Sequence, residues 1–167
     1  MQLEMTQPYP VGVAHVLDAF FDSQHILAKN ERLGARAVRV IESHRDNDVG
    51  KLIVERDMTT SAEVPSLLSS FHREWNRVRQ EEHWFCKDEG EWHCEFRVRI
   101  EHVPVKVHGY MRLKSDGSAC TNHVTLTVQS DVPLLGKKIA RFLVEDMEHK
   151  IAQEHQVTRE LLQGDSD

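Results

Sequence analysis

The sequence has few of the residues that mark several common classes of protein. Its 167 residues include 3 cysteines, 5 prolines and 8 glycines. The cysteines, Cys86, Cys94 and Cys120, are odd in number and follow no pattern, which favours reduced thiols and a cytoplasmic chain over a disulfide framework. The glycines form neither G-x-G-x-x-G nor a P-loop, and there is no G-x-S-x-G elbow. Phosphate-binding loops and a serine-hydrolase site are therefore not indicated.

Long hydrophobic runs and an excess of positive charge are also missing. The apolar stretches are interrupted within a few residues, so none approaches the ~18 apolar residues that a membrane-spanning helix needs. The first residues lack a basic region followed by an apolar run, so no secretory signal is expected. With 27 acidic and 21 basic residues the formal net charge is −6, which disfavours a nucleic-acid partner.

What remains is the composition of an ordinary globular protein. Hydrophobic residues make up 40% and charged residues 29% of the chain, and the length suits one domain. We expect that domain to cover residues 1–163, followed by a short disordered tail at residues 164–167. The 11 histidines are the one unusual count, and those in predicted strands alternate with apolar positions, so most should face solvent.

Hydrophobic periodicity predicts the elements. An alternating strand from Gln2 to Tyr9 is followed by two short helices, the second from about Ser23, its expected N-cap, to Leu33, with Gly34 ending it. A long final helix, about Leu134 to Leu162, has one apolar stripe, with the Asp146/Lys150 pair expected on its outer side. Between them a period of two predicts six strands: Ala35–His44, Gly50–Thr59, Trp75–Cys86, Glu91–His102, Val105–Lys114 and Ala119–Ser130.

This order predicts an α+β fold, in which a curved antiparallel sheet of seven strands wraps around the C-terminal helix, with two short helices after the first strand. The elements are punctuated by short motifs rather than by linkers or repeats. These motifs are Val64-Pro65 before Leu67-Leu68, Trp75, Val103-Pro104-Val105 before Gly109 and Leu113, and Val132-Pro133-Leu134 with Gly136-Lys137-Lys138.

Together, the element order and these motifs resemble the START-like superfamily, also called SRPBCC or helix-grip. More narrowly, the chain is similar to an uncharacterised bacterial branch known only as a domain of unknown function. The resemblance spans about Gln2 to Leu162 and implies a hydrophobic cavity between the sheet and the long helix. Members of the superfamily transfer lipids, bind hormones, cyclise polyketides or assist chaperones, so the fold does not choose among these functions.

Two histidines and two cysteines lie close together in the sequence and suggest a zinc site. On regular strands, however, Cys86 and Cys94 point to one face of the sheet, whereas His83 and His93 point to the other. The thiols and the imidazoles are thus separated by the sheet, unless a bulge at Cys86 changes the alternation. We therefore predict no metal site and no cofactor.

Polar residues on the predicted inner face are more informative. Glu82 shares a face with Trp84, and Arg56 shares one with the apolar residues of the third strand. A carboxylate buried alone is costly, so Glu82 must be paired, hydrated or protonated. One interpretation is a structural Arg56–Glu82 pair, or an inner-face end open to solvent. The other is that both groups orient a ligand in a largely apolar pocket.

We predict non-catalytic binding of a hydrophobic or amphipathic small molecule or lipid. An alternative is a cyclase, dehydratase or hydrolase that uses Glu82 as acid/base, and a second alternative is an interaction or co-chaperone module that uses the outer sheet face. Lys137 and Lys138 could make transient contact with anionic headgroups at a membrane surface, and the oligomeric state is left open. The predicted ligand-binding residues are Arg56, Glu82, Trp84, Trp92, Phe96, Met111, Leu126, Leu143 and Met147.

Overall fold

The computed structural model describes residues 1–60 and 63–164, and within these the elements follow one another in the predicted order. The predicted tail at residues 164–167 lies outside the described residues except for Gly164, which is the last residue of the final helix. The elements are β1 (Gln2–Tyr9), α1 (Val13–Phe21), α2 (Ser23–Arg32), β2 (Arg36–Arg45), β3 (Val49–Met58), a 3₁₀ helix (Ser66–Phe71), β4 (Asn76–Asp88), β5 (Glu91–Ile100), β6 (Lys106–Asp116), β7 (Ala119–Gln129) and α3 (Gly136–Gly164).

The seven strands form one antiparallel sheet in the order β1-β7-β6-β5-β4-β3-β2. From β2 to β7 each strand pairs with the next one in the sequence, and β1 closes the other edge beside β7. The sheet curves around α3, whose apolar stripe, including Ile139, Leu143 and Leu162, packs into the main core. The predicted α+β architecture is therefore confirmed.

Helix α2 starts differently from the prediction. Asp22, not Ser23, is its N-cap: the Asp22 carboxylate accepts the backbone N–H of His25 at 3.0 Å. A carboxylate there satisfies a free N–H and also complements the positive end of the helix dipole, which a hydroxyl does less well. At the other end Gly34 adopts a φ of 78°, the left-handed conformation that turns the chain into β2.

In the middle of the sheet the ring of Phe96 lies over a glycine, Gly109, of the neighbouring strand. Gly109 on β6 is directly opposite Phe96 on β5. A Cβ atom at Gly109 would lie 2.3 Å from the Phe96 ring and 2.3 Å from the carbonyl oxygen of Thr125. Glycine therefore lets the Phe96 ring lie close against the sheet, on the face that α3 covers. No helix in the described part of the chain is both long and apolar enough to cross a membrane.

Candidate ligand-binding cavity

A cavity of about 410 Å³ lies between the concave face of the sheet and helices α2 and α3. This volume falls within the range of roughly 300 to 1,000 Å³ that is typical of small-molecule sites. Strands β1 and β3 to β7 all contribute to its wall, because alternate residues of each strand point inward. The apolar part of the lining includes Leu52, Val54, Phe96, Val98, Val124 and Leu126 from the sheet, and Leu143, Met147 and Ile151 from α3.

The structure brings seven of the nine predicted residues to this cavity: Arg56, Glu82, Phe96, Met111, Leu126, Leu143 and Met147. The two tryptophans are not part of the lining. Trp84 is 1% exposed and packs against Phe20 and Phe21 at the end of α1. Helix α1 therefore covers the part of the sheet where Trp84 lies. Trp92 is buried in the same core. Strand alternation gives the face of the sheet correctly, but it does not show which helix covers that face.

Glu82 is held by its own strand. Its two carboxyl oxygens accept hydrogen bonds from the Gln80 amide at 2.6 Å and from the Trp84 indole at 2.8 Å. Both donors are two residues away and therefore on the same face. Among the described residues no ion pair joins Glu82 to Arg56, so the structural pair considered from the sequence is not formed. Burial raises the pKa of Glu82, and the Trp84 hydrogen bond and the Lys29 charge offset this only in part.

An ion pair that the sequence did not reveal joins α2 to α3 at the cavity. The Lys29 ammonium lies 3.0 Å from the Glu154 carboxylate, and both side chains line the cavity. Burial opposes ionisation of Glu154, but the positive charges of Lys29 and Arg56 outweigh it and lower the pKa of Glu154. The helical spacing did indicate that Lys29 is turned inward, since it lies three residues after the buried Ile26 and therefore on the same face of α2.

The Asp146/Lys150 pair is on the opposite side of α3 from the prediction. The two groups are 2.8 Å apart, but Asp146 is 3% exposed and both residues line the cavity. Asp146 follows Leu143 by three residues, which places it on the stripe that faces the sheet. The expectation of an outer, solvated pair was wrong because it weighted the charge of these residues above their helical position.

Two asparagine side chains in the wall keep an unsatisfied oxygen. Asn30 donates to the Ile26 carbonyl at 2.8 Å, and Asn122 donates to the Met111 sulfur at 3.4 Å. The Oδ1 atoms of both residues are buried and have no hydrogen-bond partner among the described residues. An unsatisfied buried acceptor costs about 1–3 kcal/mol. These two oxygens therefore cost the fold free energy in the packed part of the wall, behind the surface that faces the cavity.

Tyr9 and His155 contribute neutral polar groups beside the carboxylates. Burial and the nearby Glu154 charge raise the pKa of Tyr9, so its hydroxyl keeps its proton. Burial lowers the pKa of His155, although a hydrogen bond to Pro8 partly opposes this. The His155 Nε2–H donates to the Pro8 carbonyl at 2.7 Å, and the rings of Tyr9 and His155 stack edge to face with centroids 5.0 Å apart.

The histidines and cysteines of the β4–β5 hairpin do not converge. Cys94 is fully buried on the inner face, whereas His93 lies on the outer face between Glu91, 3.0 Å away, and the Tyr110 hydroxyl. A bulge does occur between Cys86 and Asp88. Even so, no three His, Cys, Asp or Glu side chains in residues 1–60 and 63–164 are grouped to hold a metal. His93 is 7% exposed and is an exception among the strand histidines, most of which are exposed as predicted.

One exposed tip precedes α3. Leu134 is 99% exposed and has a φ of 66°, a left-handed conformation that is uncommon for leucine. Gly136 is the first residue of α3. A larger residue would not fit there, because its Cβ atom would lie 2.4 Å from the Ser130 carbonyl oxygen. Lys137 and Lys138 follow, both exposed, and neither has an ion-pair partner within the described residues.

A seven-stranded antiparallel sheet wrapped around a long C-terminal helix, with two short helices after the first strand, defines the helix-grip fold. The chain belongs to a family described as a protein of unknown function, DUF2505, whose model matches residues 4–162. It is 29% identical over 166 residues to the uncharacterized protein Rv0481c of Mycobacterium tuberculosis, and the match covers 93% of this chain and 92% of that protein.

Solved structures with low sequence identity share the fold. The protein TTHA0849 from Thermus thermophilus is similar with a TM-score of 0.65 at 12% identity, over 100% of each chain. The Zhui aromatase/cyclase from Streptomyces sp. R1128 also has a TM-score of 0.65, at 11% identity, over 98% of this chain and 93% of that one. At these identities the likeness shows the fold alone.

Proposed function

We propose that the protein binds a hydrophobic or amphipathic small molecule, such as a lipid, as members of the START-like superfamily do. The observation that supports this most directly is the cavity of about 410 Å³, whose wall combines apolar side chains of the sheet and α3 with a comparable number of polar and charged ones. Small-molecule sites combine both kinds of side chain, because apolar area supplies affinity and polar groups fix the orientation, and a wall this polar favours an amphipathic molecule. An interaction module that uses the outer sheet face would not need such a space.

The residues proposed to contact the molecule are the seven predicted ones at the cavity. Phe96, Leu126 and Leu143 offer apolar surface, and Arg56 and Glu82 offer polar contacts. Trp84 has a supporting part, since its indole N–H orients the Glu82 carboxyl group. Trp92 supports the wall from the core behind it.

The experiment is native mass spectrometry of the purified protein, followed by binding of a panel of fatty acids and aromatic ketones. We expect one bound molecule per chain. Met147→Trp should fill the cavity and reduce binding by about tenfold or more. Glu148→Trp adds the same side chain at the next, exposed position of α3 and should leave binding unchanged. A protein that is empty as purified and binds no member of the panel would refute the proposal.

A second candidate function is acid/base catalysis on a bound apolar substrate, such as a cyclisation or dehydration. Glu82 favours it, because burial raises the pKa of this carboxyl group and so favours the protonated form that a general acid needs. Deuterium exchange next to the carbonyl of 2-acetonaphthone, followed by NMR, tests for such chemistry. Glu82→Gln should abolish any exchange, whereas Glu81→Gln on the outer face should not. Exchange no faster than in buffer counts against catalysis of this kind.

Two further proposals concern where the protein acts. The three cysteines have free thiols, which supports a cytoplasmic location. The exposed Leu134 beside Lys137 and Lys138 supports transient contact with an anionic membrane surface. An exposed leucine in a left-handed conformation and two lysines at the positive end of a helix each lower the stability of the fold, and Leu134 gains no packing in return. A role in binding would account for them. A carrier of an apolar molecule would use such a contact to load or release it.

A further inference from the structure

The charged side chains of the cavity leave one cation without an acidic partner. Six such side chains line it, three basic and three acidic: Lys29, Arg56, Lys150, Glu82, Asp146 and Glu154. Lys29 is paired with Glu154 at 3.0 Å, and Lys150 with Asp146 at 2.8 Å. Arg56 and Glu82 remain, and they do not pair with each other. Charges in a site of low dielectric need compensation, so these two groups decide what the cavity can hold.

The Arg56 guanidinium is available for a ligand. Arg56 is half-buried on the inner face of β3, where its Nε–H donates to the Met58 sulfur at 3.0 Å. A thioether is a weak acceptor, and the terminal N–H groups of Arg56 have no acceptor in the part of the chain that the structure describes. Glu154 is near enough to feel the Arg56 charge, but its carboxylate is bound to Lys29.

Glu82 does not serve as the missing anion. Both of its oxygens are occupied by Gln80 and Trp84, and its side chain is almost wholly removed from solvent. Burial favours the protonated form of this carboxyl group. Among the charged side chains of the described lining, Arg56 is therefore the cation that no carboxylate compensates by an ion pair.

We propose that the ligand is an amphipathic carboxylic acid whose carboxylate binds the Arg56 guanidinium through two parallel hydrogen bonds. The apolar body then lies against Phe96, Leu126 and Leu143. The planar fork of arginine matches a carboxylate in this geometry, and the pair gains strength where water is excluded. A doubly charged phosphate monoester would need a second unpaired cation, which the described lining does not offer. This inference rests on the proposed binding function.

The test uses three ligands that share one tail and differ in the head group: dodecanoic acid, dodecan-1-ol and dodecylamine. Each displaces N-phenyl-1-naphthylamine, a neutral fluorescent reporter, from the folded chain at neutral pH. We expect the acid to bind about tenfold or more tightly than the alcohol, and the amine to bind most weakly. Arg56→Gln should remove the preference for the acid while the reporter still binds, and Arg56→Lys should restore part of it.

Arg99→Gln is the matched control, because it removes the same charge from an exposed position on the outer face of the sheet. It should leave the ranking of the three ligands unchanged. Equal binding of acid and alcohol, or tightest binding of the amine, would overturn the inference while leaving the proposed function standing. If neither the reporter nor any of the three ligands binds, both fail. If Arg56→Gln does not fold, the ranking on the unmodified chain and on Arg56→Lys decides.

Discussion

The Lys29 ammonium and the Glu154 carboxylate lie 3.0 Å apart and connect α2 to α3 along one wall of the cavity. The Lys29 side chain is 11% exposed and that of Glu154 37% exposed, so the pair is shielded from water on one side only. Arg32 and Glu160 make a second link between the same helices. The wall of the cavity is thus held by charge as well as by packing.

Replacing Lys29 by methionine should lower the free energy of unfolding by about 1–2 kcal/mol, since it leaves Glu154 without its nearest partner. Glu154→Gln should cost at least as much, because the Lys29 side chain is the more buried of the two and would keep its charge without a partner. Urea unfolding of the two single variants and the double variant measures the coupling. If the two single effects simply add, the ion pair contributes nothing and the link between the helices is packing alone.

Glu82 should make stability depend on pH. Its pKa is raised in the folded state, so the folded chain holds a proton that the unfolded chain releases at lower pH. Stability should therefore decrease as the pH rises from about 4.5, the ordinary glutamate pKa, through the raised value. Thermal unfolding from pH 4 to pH 8 should show this decrease as a loss of stability relative to Glu82→Gln, since other carboxyl groups with lowered pKa values act in the opposite sense. The slope should be smaller in Glu82→Gln than in Glu81→Gln, and identical slopes would contradict the assignment.

Gly109→Ala should destabilise the protein by about 1–3 kcal/mol, because the new methyl group would overlap both the Phe96 ring and the Thr125 carbonyl. The ring would then be displaced into the cavity, and ligand binding should weaken in parallel. Gly164→Ala at the end of α3 meets no atom within 4 Å and is the matched control. An unchanged melting temperature for Gly109→Ala would show that the sheet absorbs the extra atom.

Contact with an anionic surface should depend on the tip before α3. The chain should sediment with vesicles of phosphatidylglycerol and phosphatidylcholine, and less with phosphatidylcholine alone. Leu134→Ser and Lys137→Gln should each lower the bound fraction several-fold. Ile41→Ser removes another exposed apolar side chain, 40% exposed on β2, and should have no effect. Equal sedimentation of all variants would exclude this tip as the contact.

The sequence predicts the elements well, because each is governed by a local period. The alternation in β1 and the apolar stripe of α3 define the elements to within two residues at each end. Seven of nine predicted residues reach the cavity for the same reason: a strand position determines the face of the sheet for five of them, and the apolar stripe of α3 places Leu143 and Met147. Trp84 and Trp92 are the exceptions, and for Trp84 the reason is that the packing of α1 covers this part of the inner face.

The polar part of the wall is what the sequence did not reveal. Lys29, Asn30 and Glu154 were overlooked, and Asp146 was placed on the outer side of α3, because charged and amide side chains on a helix are usually solvated. Their helical positions were informative: Lys29 and Asn30 follow Ile26 by three and four residues, and Asp146 follows Leu143 by three. Whether such a position faces a core, a cavity or solvent depends on the shape of the sheet opposite, which no local pattern contains.

The central claim is that a molecule occupies the space between the sheet and α3. NMR of the chain with isotope-labelled dodecanoate measures this directly, through intermolecular contacts between the alkyl tail and the methyl groups of Leu126 and Leu143. We predict such contacts for one bound molecule per chain, and their loss in Met147→Trp. Contacts that come only from exposed methyl groups such as Leu134, or that persist in Met147→Trp, would contradict a ligand in the cavity.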